Sequence, residues 1–276
     1  MQLQSGVKSL DLNSPQVMGI LNVTPDSFSD GGYFSNLDNA LQQATKMVDQ
    51  GAAIIDIGGE STRPGAADVV IQEELDRVLP IIEKISKNLD CWISIDTSKA
   101  LVMSEAVKNG ANLINDVRAL QGKGALHAAV SAQVPVCLMH MQGVPRSMQA
   151  MTEYDNLLVE VESFLLQRAK ACIKAGILKE HIILDLGFGF GKQPKHNFEL
   201  LAATKRFVAL GYPLLTGVSR KSMFGHLLNR DINERLAGSL AGALIAIQQG
   251  SQIIRVHDVA ETIDIIRVLQ EVNAFN

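Results

Sequence analysis

Eight short apolar runs punctuate this chain, at 17–21, 53–57, 92–95, 113–114, 134–139, 182–186, 213–218 and 253–256, and most of them are continuous rather than alternating. Continuity is the mark of strands buried on both faces of a parallel sheet, because a half-solvated antiparallel strand would alternate apolar and polar residues. Helical patterns fill the gaps. Leu37, Leu41, Ala44 and Val48 recur at helical spacing behind Ser35 and Asp38, which read as a capping box, and Gly51 stands as the stop signal. A longer segment, 153–174, carries Leu157, Leu158, Val161, Phe164, Leu165 and Cys172 on one face and ends at Gly176. Similar periodicity covers 71–87, 99–109, 124–132, 196–210, 233–249 and 259–272. Eight β-α units over 276 residues is the length a closed barrel needs. The expectation is an α/β chain, a (β/α)8 TIM barrel forming a single domain over 1–276. An open doubly wound sheet is the alternative, but no Gly-x-Gly-x-x-Gly follows the first strand.

Composition narrows the function classes. Charged residues make up 20% and the net charge is −4, with no Lys/Arg-rich block, which argues against a nucleic-acid groove or a polybasic membrane anchor. An anionic ligand would have to be met by local groups. Cys91, Cys137 and Cys172 are odd in number and embedded in apolar sequence, so they read as reduced core residues of a reducing compartment. No apolar stretch reaches the length of a membrane span, and residues 1–13 lack a continuous apolar leader, so the expectation is a cytoplasmic protein.

Chemistry collects just after the strand-like runs. Asn22 follows the first; Asp56 with Glu60, Ser61, Thr62 and Arg63 the second; then Asp96, Asn115 with Asp116, His140, Asp185, Ser219 with Arg220 and Lys221, and Arg255 with His257. All lie on the carboxyl-end side, which in a (β/α)8 barrel is one shared mouth. Any one of them could be a helix cap or a polar group satisfying barrel-rim backbone. Asn22, Thr62, Arg255 and His257 combine an amide, a hydroxyl, a cation and an imidazole, a set suited to a phosphate or diphosphate with its metal ion. Asp96, Asn115 and Asp185 supply acceptors that match the N–H edge of a guanidine-like heterocycle, although paired carboxylates also serve as acid and base or as metal ligands. Lys221 has a rival reading as a Schiff-base lysine.

Three loops stand out. Segments 23–34 and 58–69 are longer than barrel closure needs and hold Phe28, Asp26, Asp30, Arg63 and Pro64, as water-excluding lids do, although Glu60-Ser61-Thr62-Arg63-Pro64-Gly65 also reads as a rigid turn. In Asp185-Leu186-Gly187-Phe188-Gly189-Phe190-Gly191-Lys192, three glycines permit close approach to a ligand and two phenylalanines offer flat apolar surface.

Taken in order, the blocks 19–32, 56–65, Ser94-Ile95-Asp96-Thr97, Ile114-Asn115-Asp116, 185–191, Gly217-Val218-Ser219-Arg220-Lys221-Ser222 and Arg255-Val256-His257-Asp258 closely resemble bacterial dihydropteroate synthases across nearly the whole chain. The resemblance implies a barrel enzyme of folate biosynthesis that joins 6-hydroxymethyl-7,8-dihydropterin diphosphate to p-aminobenzoate with Mg²⁺ as cofactor. It implies Asp96, Asp185, Lys221 and Arg255 as catalytic residues. It places the pterin on Asp96, Asn115, Asp185 and Lys221 with Met139 and Val117 packed nearby, and the diphosphate on Thr62, Arg255 and His257. Asn22 would ligate Mg²⁺, and p-aminobenzoate would sit among Phe28, Arg63, Pro64, Phe190 and the helix start at Ser222. Sulfonamides are the implied inhibitors and a homodimer the implied assembly, with no nucleic-acid or membrane partner. Two rivals share parts of this pattern: a corrinoid-linked methyltransferase pterin domain, and a non-catalytic pterin-binding paralogue.

Overall fold

The computed structural model describes residues 1–23, 33–61, 68–143, 148 and 151–275, with backbone alone at 33–36. Eight parallel strands close into a barrel in chain order: β3 (Gln16–Asn22), β4 (Ile54–Gly58), β5 (Trp92–Asp96), β6 (Leu113–Asp116), β7 (Val136–Met139), β8 (Ile182–Asp185), β9 (Leu214–Thr216) and β10 (Ile253–Val256), the last pairing back onto β3. Ahead of them, β1 (Gln2–Ser5) and β2 (Lys8–Asp11) form an antiparallel hairpin. The helices are α1 (Tyr33–Asp49), α2 (Ile71–Asn88), α3 (Ala100–Lys108), α4 (Ala125–Ala132), α5 (Leu157–Ala175), α6 (Pro194–Ala202), α7 (Thr204–Val208), α8 (Ser222–Leu228), α9 (Leu236–Gln248) and α10 (Val259–Asn273).

The barrel interior is built in layers because side chains of a strand alternate between its faces. One buried residue from each strand, Met18, Ile54, Trp92, Leu113, Cys137, Ile183, Leu215 and Ile253, forms an apolar plug, and Leu3, Leu10 and Leu12 of the hairpin segment pack onto its lower side. Lys8 ties the hairpin to the barrel by donating to the Cys91 carbonyl at 2.6 Å. Two residues further along each strand the inward positions are Ile20, Asp56, Ser94, Asn115, Met139, Asp185, Gly217 and Arg255. The same periodicity that makes the plug apolar therefore delivers the next layer as a polar floor. The outward faces of the strands pack against the helices in a separate, larger apolar cluster.

Several sequence expectations shift at helix ends. Asn156 caps α5 by accepting from the Val159 N–H at 3.2 Å, so that helix starts at 157 and not 153. Ser35 lies inside the first turn of α1, which begins at Tyr33, rather than in a capping position. The single helix expected over 196–210 is two, because the chain leaves helical geometry at Ala203 and the Thr204 hydroxyl donates to the Leu201 carbonyl at 2.9 Å. The helix expected from 233 begins at Leu236 after a 3-10 turn, Ile232–Glu234. The three cysteines are buried and free. Among the described residues no helix is long and apolar enough to cross a membrane.

Candidate active site

The mouth of the barrel holds a pocket lined by Asp96, Asn115, Val117, Met139, Asp185, Gly187, Phe188, Phe190, Gly217, Lys221 and Arg255. Asn115, Met139, Asp185, Gly217 and Arg255 come from the polar floor, Asp96 from the end of β5, and the rest from the loops beyond the strands. The arrangement gathers residues that the sequence spaces up to 159 positions apart. Asp185 is nearly buried, and its Oδ1 accepts from the Gly187 N–H at 2.8 Å. Arg255 uses two adjacent donors: Nε reaches Asp56 Oδ2 at 2.6 Å and Nη2 reaches Asp96 Oδ2 at 2.8 Å. One guanidinium thus spans strands β4 and β5 from β10. Arg255, expected in the diphosphate set, is paired here to Asp96, a carboxylate of the heterocycle set, so the two groups of residues adjoin.

Electrostatics follow from this crowding. Burial, opposed by Arg255 and reinforced by Asp56, pushes the Asp96 carboxyl up to about 7. Asp185 is also raised, by burial, against the Gly187 N–H and Lys221. Burial and then Arg255 lower the Lys221 ammonium to about 8, against the pull of Asp185 and Asp96. Burial alone would lower Arg255, yet Asp56 and Asp96 hold it above the ordinary arginine range. Lys221 Nζ also lies 4.5 Å from the centre of the Phe190 ring, a cation–π contact. His257 is pushed down to about 4, by burial and then Arg255, so it is neutral at physiological pH. Ser219 Oγ accepts from the His257 backbone N–H at 3.2 Å and lies 3.0 Å from Nδ1, an arrangement in which its hydroxyl donates to Nδ1 and leaves Nε2–H as the imidazole's donor.

The Gly-rich loop after β8 is held by a buried lysine. Lys192 Nζ lies 2.9 Å from the Gly187 carbonyl, 3.0 Å from that of Phe190, 3.3 Å from that of His140 and 2.9 Å from His140 Nδ1. Gly187 needs its missing side chain twice over: φ is +66° and a Cβ would stand 1.8 Å from the His140 carbonyl oxygen. A comparable clamp fixes Arg220, at φ +55°, through its N–H to Ser239, its carbonyl to Arg235 and its guanidinium to Asp258. That clamp sets the position of Lys221 at the start of α8.

Other strand-end residues play structural parts. Asp116 is filled by the Ser98 hydroxyl and the N–H groups of Arg118 and Leu120, so it caps a loop. His140 is buried beneath Lys192, and Glu60 is paired to Lys99. Ser222 is exposed at the start of α8 and does not line the pocket. Asn22 is exposed at the end of β3. Thr62, Arg63, Pro64, Phe28, Asp26 and Asp30 lie outside the described residues. Two side chains take parts that their motifs do not announce, Lys192 as the loop clamp and Asp56 as the carboxylate beneath Arg255. Their partners are the signal, and those are assembled only by the closed barrel.

Fold and site together define a (β/α)8 barrel whose mouth sets buried carboxylates beside cationic groups. The sequence profile described as pterin binding enzyme matches residues 18–257. The dihydropteroate synthase of Haemophilus influenzae is 56% identical over 270 residues, covering 98% of each chain. A Yersinia pestis dihydropteroate synthase solved with a sulfonamide drug superposes with a TM-score of 0.95 at 53% identity, covering 99% of this chain and 100% of that one. A Xanthomonas albilineans dihydropteroate synthase in complex with 7,8-dihydropteroate gives 0.91 at 43% identity, covering 99% of both. The chain belongs to the pterin-binding enzyme family and, within it, to the dihydropteroate synthases.

Proposed function

We infer that the protein joins 6-hydroxymethyl-7,8-dihydropterin diphosphate to p-aminobenzoate, giving 7,8-dihydropteroate and diphosphate. The observation that carries this reading is the polar floor itself, which sets Asn115, Met139, Asp185 and Arg255 around one pocket with Asp96 and Lys221. Asp96 and Asp185 accept from the ring N–H and amino groups of the pterin, Asn115 and Lys221 complete its edge, and Met139, Val117 and Phe188 pack on its apolar faces.

Breaking the bond from the exocyclic methylene to the diphosphate sends positive charge into the dihydropterin and negative charge onto the leaving oxygen. Asp96 and Asp185 stabilise the first, and Arg255 with neutral, donating His257 stabilises the second, joined in our proposal by Thr62. Because Asp56 and Asp96 occupy one edge of the Arg255 guanidinium, its remaining N–H groups are the ones left for a ligand. The arylamine is already an unprotonated nucleophile at neutral pH, so the substitution proceeds dissociatively with no dedicated general base. We place p-aminobenzoate among Phe28, Arg63, Pro64, Phe190 and Ser222, where a sulfonamide would compete with it.

Mg²⁺ would neutralise the diphosphate as it departs, held by the Asn22 amide oxygen. The residue present suits such an ion: Asn22 is exposed at the end of β3, and its amide oxygen is a hard, neutral donor of the kind Mg²⁺ takes. Substrate phosphate and water would supply its other ligands. We also propose a homodimer through the last helices, where Leu227, Leu228, Ile232 and Ile245 are exposed, and a cytoplasmic location in keeping with the free cysteines.

The test is incubation with dihydropterin diphosphate, p-aminobenzoate and Mg²⁺, followed by chromatography for dihydropteroate, with methyltetrahydrofolate offered in parallel. Dihydropteroate should form and methyltetrahydrofolate should persist. Turnover of methyltetrahydrofolate without dihydropteroate would overturn the assignment.

A further inference from the structure

We propose that Asp56 is a positioning residue for pterin recognition, orienting Asn115 and Arg255 from beneath the pocket; the proposal rests on the functional reading above. Asp56 is fully buried in the polar floor. Its Oδ2 accepts from Arg255 Nε at 2.6 Å and from Asn115 Nδ2 at 3.3 Å. These donors come from β10 and β6, on opposite sides of β4 around the barrel. A carboxylate only accepts, so the Asn115 amide must turn its nitrogen toward Asp56, which leaves its oxygen as the free acceptor for a ligand N–H. The guanidinium is planar, and Asp56 and Asp96, by meeting Nε and Nη2, fix that plane with two contacts.

Asp116, two strands further on and also fully buried, shows what a structural carboxylate looks like here: both oxygens are filled by a loop's own hydroxyl and backbone N–H groups. Asp56 receives no backbone donor among the described residues. Its Oδ1 and the Oγ of Ser94, its register partner on β5, have no hydrogen-bond partner among the described residues. The contacts that Asp56 does make are therefore both to pocket-lining side chains.

The geometry makes Asp56→Asn the informative conservative change. Its amide oxygen can still accept from Arg255 and Asn115. Asp56→Ala removes the acceptor altogether. Affinity for 6-hydroxymethyl-7,8-dihydropterin diphosphate is read by calorimetry, p-aminobenzoate KM by turnover, and folding by thermal unfolding. Asp56→Ala should bind the pterin at least tenfold more weakly with the p-aminobenzoate KM within threefold, and Asp56→Asn should recover to within threefold of the parent. In an Asn115→Ala background the Asp56→Ala loss should shrink, because the group being oriented is already gone. The proposal is overturned by Asp56→Ala binding pterin like the parent, by Asp56→Asn binding as weakly as Asp56→Ala, or by strictly multiplicative losses with Asn115→Ala. Asp56→Ser replaces the alanine variant if that one does not unfold cooperatively, with the same expectation. Failure of the parent itself to bind the pterin counts against the functional reading instead.

Discussion

At the scale of single residues, the site is a contest between burial and pairing. Asp96 and Lys221 face the same pocket, and their shifts move toward each other: the carboxyl rises to about 7 and the ammonium falls to about 8. Pterin recognition needs Asp96 as a carboxylate, which holds above its value, and Lys221 as an ammonium, which holds below its own. The kcat/KM for dihydropterin diphosphate should therefore be bell-shaped, with a narrow maximum between about pH 7 and 8 and a tenfold fall per unit on either side. Asp96→Asn should take its own titration out of the acid limb and leave that of Asp185, which burial also raises. A flat profile from pH 5.5 to 7 in the parent would contradict this account. The Asp96 and Lys221 positions were legible in the sequence as polar residues after apolar runs. The contacts of Asp56 were not, since its Arg255 partner lies 199 residues away and the pairing exists only once β10 has closed against β3.

At the scale of elements, the strands were readable because burial on both faces leaves an almost unbroken apolar run, as at 182–186 and 253–256. Helix ends were less so, for they depend on single side chains such as Asn156 and Thr204 that choose between capping and continuing. The hairpin β1–β2 escaped notice because its inward leucines gain meaning only against the plug they cover. The loop after β8 was recognised by its glycines as a place of close approach, and at Gly187 what comes close is the His140 carbonyl. Gly6 and Gly187 have similar positive φ, +58° and +66°, and differ in surroundings: a Cβ at Gly6 would meet nothing within 4 Å. Gly6→Ala should cost roughly 1–2 kcal/mol of stability and leave activity unchanged. Gly187→Ala should in addition drive the loop off the His140 carbonyl, move Phe188 and the N–H that serves Asp185, and weaken pterin binding at least tenfold. Denaturant unfolding and calorimetry of the two variants check the contrast, and equal pterin affinity in both would refute it.

At the scale of the whole molecule, one alternation of side chains does two jobs. The lower inward layer seals the barrel with Met18, Trp92 and Ile183, and the layer two residues higher supplies Asn115, Asp185 and Arg255 to a single pocket. Stability is concentrated at one end and chemistry at the other, the separation that (β/α)8 barrels allow. The central claim is that this mouth substitutes an arylamine for diphosphate on a pterin held by its carboxylates. Diphosphate release measured with and without p-aminobenzoate, alongside dihydropteroate formed and repeated for Asp185→Ala, tests it most directly. The account predicts diphosphate and dihydropteroate in equal amounts when p-aminobenzoate is present, faster release with it than without it, and a fall in kcat/KM of a hundredfold or more in the variant, since each hydrogen bond to a charged group is worth about 1.5–3 kcal/mol and the carboxylate makes two. Diphosphate release without dihydropteroate when p-aminobenzoate is present, or parental kcat/KM in Asp185→Ala, would contradict it.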